Sequence, residues 1–412
     1  MQQRATIIAV LGLLLAGVIP AAGQVGPGAS PPSEYPVATD ARVGGDGKQT
    51  RFVVDFTRKV DIRAFTLANP YRVVIDMPQV TFSFPPNTGD HGRGLVKAFR
   101  YGLVMPGGSR IVLDTTGPVR VEKAFVLDPS DSQPARLVMD LIPIDRESFL
   151  RATAVDNRQR DTRKNDAKSE PPPTAPADAR PLIVLDPGHG GIDTGTHIQE
   201  GDPEKVLVLD FANTLRDRLE KTGKYRVVMT RTDDTFVALG DRVRFARARN
   251  AQLFISIHCD ALAKGDGEAE GASVYTLADH ASDADAARLA DAENRADVIS
   301  GVDLSVEPDD IADILLDLAQ RETKTFSLQF AQQVVREFKS AARMHKKPLK
   351  SAGFRVLRAP DVPSVLIELG FVSNVKDLKQ LTSDAWRVRA SDALVQAVNA
   401  YFTTRIAGGP VR

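Results

Sequence analysis

Two histidines and two glutamates are the residues of this sequence whose types and positions could do chemistry: His189, Glu204, His258 and Glu368. His189 stands in Asp186-Pro187-Gly188-His189-Gly190-Gly191, just after the apolar run Leu182 to Leu185. His258 ends the run Leu253 to Ile257, and Glu368 lies near the end of Val365 to Leu369. In an open α/β sheet, ligands gather outside the carboxyl ends of the strands, so one crevice can receive all three groups. Glu204 falls in the first turn of a helix expected over 204–221. There Asp202 is a good N-cap, Pro203 suits the first helical position, and Leu207, Phe211 and Leu215 continue an apolar stripe. Two imidazoles and one carboxylate are a standard hydrolytic zinc set, leaving the fourth tetrahedral position for a water whose pKa falls to about 7. Such a site also needs a base, and Glu368 is the free carboxylate placed to take the water's proton and pass it to a leaving nitrogen. The glycines at 188, 190 and 191 let backbone approach closely. A phosphate cradle is excluded, because no Lys-Ser or Lys-Thr closes a P-loop pattern and no complete Gly-x-Gly-x-x-Gly opens a helix after a strand.

The elements that must position these groups alternate from Pro181 onward. Strands are expected at Leu182 to Leu185, Arg226 to Met229, Leu253 to Ile257, Ala272 to Tyr275 and Val365 to Leu369, and helices over 204–221, 240–249, 323–341 and 384–403. This order predicts an α/β domain over 181–405: an open, mostly parallel sheet with flanking helices. Before it, 38–145 reads as a small all-β sandwich. Four segments there share one pattern, Arg then three apolar residues then Asp: Arg51 to Asp55, Arg72 to Asp76, Arg110 to Asp114 and Arg136 to Asp140. The recurrence points to internal duplication. The flanking charges suit strand-end ion pairing and ligand binding about equally. Residues 146–180 crowd charges and then prolines, the composition of an extended linker between two independently folding parts. Residues 1–23 read as a cleavable export signal, with Arg4, an apolar run from Ile7 to Ile19 and Ala21-Ala22-Gly23. The run is too short for a stable membrane anchor, which needs about 20 apolar residues. Acidic and basic residues balance at 53 each, giving no sign of nucleic-acid binding. The single cysteine, Cys259, can form no intramolecular disulfide and adjoins His258 as a small buried residue.

Five stretches, Leu185 to Gly191, Glu204-Lys205, Thr230-Arg231, Ser256-Ile257-His258 and Ile367 to Asn374, together resemble the zinc-dependent N-acetylmuramoyl-L-alanine amidases of bacterial cell walls. The resemblance implies zinc bound by His189, Glu204 and His258, catalysis by Glu368, and cleavage of the bond joining the muramoyl lactyl group to L-alanine. Residues 38–145 are similar to the AMIN domain of division-associated amidases, which implies peptidoglycan binding and a periplasmic location. One departure is Cys259-Asp260, where relatives usually carry alanine and asparagine. Asn374 has a structural reading, as N-cap of a helix from Val375 with Asp377 three residues on. His197, His280 and His345 match no motif position.

An acidic, alanine-rich insert over 279–322 is expected to hold helices at 282–299 and 309–322. In the second, Ile311, Ile314, Leu315 and Leu318 form a stripe opposite Asp310, Asp313 and Asp317. In the first, Glu293 shares a face with Ala286, Leu289, Ala290 and Ala296, apart from Asp285, Asp291 and Asp297, and an inward carboxylate needs a partner cation. Division-type amidases, which this chain resembles, carry here an inhibitory helix that donates a glutamate to the zinc. The expectation is that Glu293 plugs the site until an activator protein of the division machinery binds the insert. Two other functions fit parts of the pattern: a zinc peptidase acting on the peptide stem, and a catalytically silent wall-binding scaffold.

Overall fold

The structure, a computed structural model, describes residues 35–105, 107–130, 133–153, 178–196, 202–261, 270–302 and 314–407. The expected signal over 1–23, residues 154–177 of the linker, His197 and Ile311 lie outside the described residues. No helix among the described residues is long and apolar enough to cross a membrane.

The sheet that carries the site has six strands: β10 (Leu182–Pro187), β11 (Arg226–Met229), β12 (Leu253–His258), β13 (Ala272–Leu277), β14 (Met344–Ala352) and β15 (Ser364–Glu368). They lie in the order β11-β10-β12-β15-β13-β14, and every neighbouring pair is parallel except β13 with β15. Successive side chains of a strand point to opposite faces. Ile183 and Leu185 accordingly join one core with helices α2 (Glu204–Lys221), α6 (Ile314–Phe338) and α8 (Asp384–Ala407). Val184, Phe254 and Leu366 join another with α3 (Leu239–Ala248) and α4 (Ala284–Glu293). Burial on both faces explains why these strands read as unbroken apolar runs.

Strand β14 was not expected from the sequence. Its segment, MHKKPLKSA, contains lysines and a proline, residues that suit a sheet edge and hide the period-2 signal. The single helix expected over 282–299 is two, α4 and the short α5 (Ala296–Ile299). Between them Asn294 donates to the Gly353 carbonyl (3.0 Å) and accepts from the Arg355 amide (2.8 Å), diverting the chain. Asp297 is thereby buried, and it accepts from the Leu239 amide at 2.8 Å. The helix expected at 309–322 does not stand alone either: α6 runs unbroken from Ile314 and absorbs the one expected at 323–341.

The N-terminal region is a sandwich. Strands β1 (Val37–Gly45), β2 (Thr50–Phe56), β5 (Thr81–Phe82), β8 (Val119–Leu127) and β9 (Ala135–Pro143) form one sheet; β3 (Arg63–Leu67), β4 (Arg72–Pro78), β6 (Val96–Met105) and β7 (Gly108–Thr115) form the other. Phe52, Val54, Val73, Ile75, Ile111, Leu113, Leu137 and Met139 fill the space between them. The repeated Arg-to-Asp segments are β2, β4, β7 and β9, and each pairs antiparallel with a strand of the other repeat. This register sets Arg against Asp at the strand ends, giving Arg51–Asp140 (2.7 Å), Arg136–Asp55 (2.6 Å) and Arg110–Asp76 (2.5 Å). Cross-strand ion pairing is therefore one role of the motif.

After β9 the chain forms a helix, α1, over 146–153, where an extended linker was expected. Its Phe149 is buried edge-on against Tyr71, 5.1 Å between ring centroids. Nor do the two regions stand apart as the linker suggested. Phe65, Leu67, Val74 and Val112 of the sandwich share an apolar cluster with Ile192 and Phe236 of the α/β region, and the Ile192 amide donates to the Leu103 carbonyl at 3.2 Å.

Candidate metal centre

At the carboxyl end of β10 the chain turns through His189, which takes a positive φ of 58°. The next strand over, β12, ends on His258, and β15 ends on Glu368, which the register places directly beside His258. Glu204 opens α2, with Pro203 in the cap position and no side-chain cap, so Asp202 does not serve as the expected N-cap. The loop after His189 supplies the acceptors instead: the Glu204 and Lys205 amides donate to the carbonyls of Thr196 and Thr194, each at 3.3 Å. The Glu204 side chain turns inward, accepting from the Cys259 amide on Oε1 and the Thr196 amide on Oε2, both at 2.9 Å. Cys259 itself is a buried free thiol.

Four donor atoms converge. Glu204 Oε1 lies 3.1 Å from His189 Nε2 and 3.3 Å from His258 Nδ1. Glu293 Oε2 lies 3.2 Å from His258 Nδ1 and 3.7 Å from His189 Nε2. Both ring nitrogens are buried without a hydrogen-bond partner, a costly state for polar atoms unless something else takes their lone pairs. Asp193 Oδ2 sits 2.9 Å from His189 Nδ1, so a proton on Nδ1 leaves Nε2 as the lone-pair donor. Ligands held tetrahedrally at about 2.0–2.1 Å from a zinc ion lie about 3.3–3.4 Å apart. The four quoted spacings, 3.1 to 3.7 Å, bracket that separation, the donors are nitrogen and oxygen, and the residues present fit such an ion. His189, Glu204 and His258 are the described residues able to hold a metal together.

Charge points the same way. Glu204, Glu293, Glu368, Asp193 and Asp260 are all buried or mostly buried around the two rings. Burial, then the carboxylates of Asp260, Glu204 and Glu293, drive Glu368 well above the ordinary carboxylate range. Burial together with Glu204 and Glu293 pushes Asp260 up to about 7. A divalent cation would relieve this crowding of negative charge. Glu368 Oε2 accepts from the Asp260 amide at 3.0 Å while Oε1 has no partner, which leaves one oxygen available to a reactant.

The residues that hold the His189 loop were largely missed at the level of sequence. Buried Asp186 accepts from Thr230 Oγ1 (2.5 Å), Ser256 Oγ (2.8 Å) and Arg242 (2.7 Å). Arg242 also donates to the carbonyls of Pro187 and His189, and Arg231 to those of Pro187, Gly188 and Lys205. Thr230-Arg231 was visible as a motif, whereas Arg242 inside α3 and Asp193 carried no local signal. Two glycines are sterically required. A Cβ on Gly188 would lie 2.3 Å from the His258 ring, and one on Gly195 would lie 2.6 Å from both Glu204 and the His189 ring. Asn374 caps α7 (Val375–Leu381) as expected, and Asp377 accepts from the Gly271 and Phe371 amides. His280 is exposed, and His345 lies in the edge strand β14.

Glu293, the last residue of α4, lies on the buried face formed with Ala286, Leu289 and Ala290, and its carboxylate reaches both rings. Of the stripe expected to dock an activator, Ile311 lies outside the described residues.

Comparison with known proteins gives two family matches: N-acetylmuramoyl-L-alanine amidase over residues 183–400 and the AMIN domain over 40–141. The chain is 34% identical over 373 residues to the N-acetylmuramoyl-L-alanine amidase AmiC of Escherichia coli O6:H1, covering 88% of each chain. It is 32% identical to the AmiC of Neisseria meningitidis serogroup B, covering 90% of this chain and 91% of that one. It is 37% identical to the AmiA of Escherichia coli K12 over 54% of this chain and 76% of that one.

Proposed function

Because the chain belongs to the N-acetylmuramoyl-L-alanine amidase family, we propose that this site holds a zinc ion and hydrolyses the amide between the lactyl group of N-acetylmuramic acid and L-alanine in peptidoglycan. The observation that carries the reading is the convergence of His189 Nε2 and His258 Nδ1, buried and unpartnered, on Glu204 Oε1. The bound ion would supply Lewis acidity, polarising the carbonyl and making water a nucleophile near neutral pH.

The protein's own residues do the rest. Asp193 fixes the His189 tautomer, and the two amides on Glu204 fix its carboxylate, so the ligand set is oriented beforehand. Glu368, with one free oxygen and a high proton affinity, takes the proton from the attacking water and returns it to the departing nitrogen of L-alanine. Glu293, whose Oε2 lies beside both ring nitrogens, would add a further oxygen donor to the ion, and in that position it excludes substrate. The enzyme is thus held off until an activator protein binding the 279–322 insert draws α4 away. Residues 38–145 attach the enzyme to the wall, and the leader at 1–23 directs it to the periplasm.

The test is metal analysis of the purified protein and of His189→Ala and His258→Ala. One zinc per chain is expected in the parent and loss in both variants; full zinc occupancy in both variants would overturn the assignment.

A further inference from the structure

We propose that the second sheet of the N-terminal sandwich, β3-β4-β7-β6, is a latch that holds the insert in the position where Glu293 reaches the metal ligands. The proposal rests on the plug reading of Glu293 for its consequence in activity, though the latch itself has its own readout.

Only a few residues separate Glu293 from the point of attachment. The chain turns at Asn294, runs through α5 and leaves at Ser300-Gly301-Val302. The last carbonyls of any helix have no partner within it and must find donors elsewhere. Here three arginines from three different strands provide them. Arg72 of β4 donates to the Val298 carbonyl at 2.6 Å, and Arg100 of β6 to Ile299 at 2.7 Å. Arg110 of β7 donates to Ser300 at 3.0 Å and Gly301 at 3.1 Å.

Each guanidinium is itself held. Arg100 forks onto Asp114 (2.6 and 2.8 Å), Arg110 forks onto Asp76 (2.5 and 3.0 Å), and Arg72 is almost fully buried. The repeated Arg and Asp strand ends thus do more than pair with one another: on this sheet they present a row of fixed donors to one run of backbone. On the other sheet, Arg51 and Arg136 make the same ion pairs while remaining more exposed than Arg110.

Apolar contact reinforces the row. Gly301 adopts a positive φ of 68° and lies flat on the sheet, where a Cβ would come within 3.0 Å of both Val74 and Val112. Val302 packs on the same cluster. Opposite, Asp297 and Asn294 tie the segment to the α/β region through Leu239, Gly353 and Arg355. The insert is therefore gripped between the two regions, and moving Glu293 away requires these contacts to loosen.

The test uses the full-length zinc protein. Arg72→Gln and Arg110→Gln remove donors from the sheet side. Gly301→Val wedges the same interface from the insert side, against Val74, Val112 and the Arg110 stem, and leaves every arginine in place, which guards against a result caused by losing a sandwich ion pair. Amide exchange over 290–302 should speed up by about ten-fold or more in all three, as expected when a local opening becomes easier. Basal hydrolysis of sacculi should rise several-fold, with zinc content unchanged. If the variants fold and exchange over 290–302 stays at the parent rate, the latch is wrong. If exchange accelerates and hydrolysis does not, Glu293→Ala separates the causes. Activation by Glu293→Ala would then show that the latch does not control the plug and would overturn the proposal. Failure of that variant too would leave the latch standing and remove the plug.

Discussion

Asp193 is the residue whose effect can be read most cleanly, because it touches His189 and no other proposed zinc ligand. Removing a carboxylate behind a metal-bound imidazole typically costs 10–100-fold in metal affinity or activity. Asp193→Ala should therefore weaken zinc binding by about that factor in a competitive chelator titration. An unchanged affinity would mean that the tautomer of His189 is set elsewhere. Glu368→Gln keeps the shape and loses the proton acceptor, so zinc should remain while hydrolysis falls by roughly 10²–10⁴-fold. Loss of the metal would instead place Glu368 among the ligands. His189, His258 and Glu368 were legible in the sequence because strand ends and glycine-rich turns mark such positions, and Glu204 because it opens an apolar-striped helix. Asp193 was not, since an aspartate in a polar loop carries no signal until the loop's path brings it back to the ring.

At the scale of elements, the His189 turn depends on α3 as much as on β10. Arg242 on α3 pairs with Asp186 at 2.7 Å, both fully or almost fully buried, and donates to the turn's carbonyls. Taking away one member of a buried pair leaves an uncompensated charge, at about 3–5 kcal/mol. Arg242→Ala should lower unfolding free energy by that order in denaturant titration and loosen zinc. The Arg242 guanidinium and the Thr230 and Ser256 hydroxyls outweigh the burial of Asp186 and hold its carboxyl below the ordinary range. The stability this contributes is present above the unfolded value near pH 4 and is lost as pH falls through the lower folded value. Helices α2, α3 and α8 were legible from their stripes to within a few residues. The break at Asn294 and strand β14 were not, because both follow from partners remote in sequence: Gly353 and Arg355 in one case, the edge of β13 in the other.

For the whole molecule, the expectation of two separate regions gives way to a sandwich and an α/β unit that share Phe65, Val74, Val112, Ile192 and Phe236. A linker rich in charge and proline tells how a chain can cross between regions, and nothing about whether their surfaces meet. In this arrangement the AMIN region and the segment that carries Glu293 belong to one mechanical assembly. Glu293→Ala should raise basal sacculus hydrolysis with zinc retained, and each ten-fold rise corresponds to about 1.4 kcal/mol removed from the closed state.

The central claim, that this assembly is a zinc-dependent amidase acting on one bond, is tested most directly by digesting purified sacculi with the full-length Glu293→Ala protein and determining the released fragments by mass. Free stem peptides beginning with an L-alanine amino terminus are expected, with release abolished by a chelator and restored by zinc. Glycan that keeps its L-alanine while the stem is cut further along, or release that continues undiminished after the metal is removed, would contradict it.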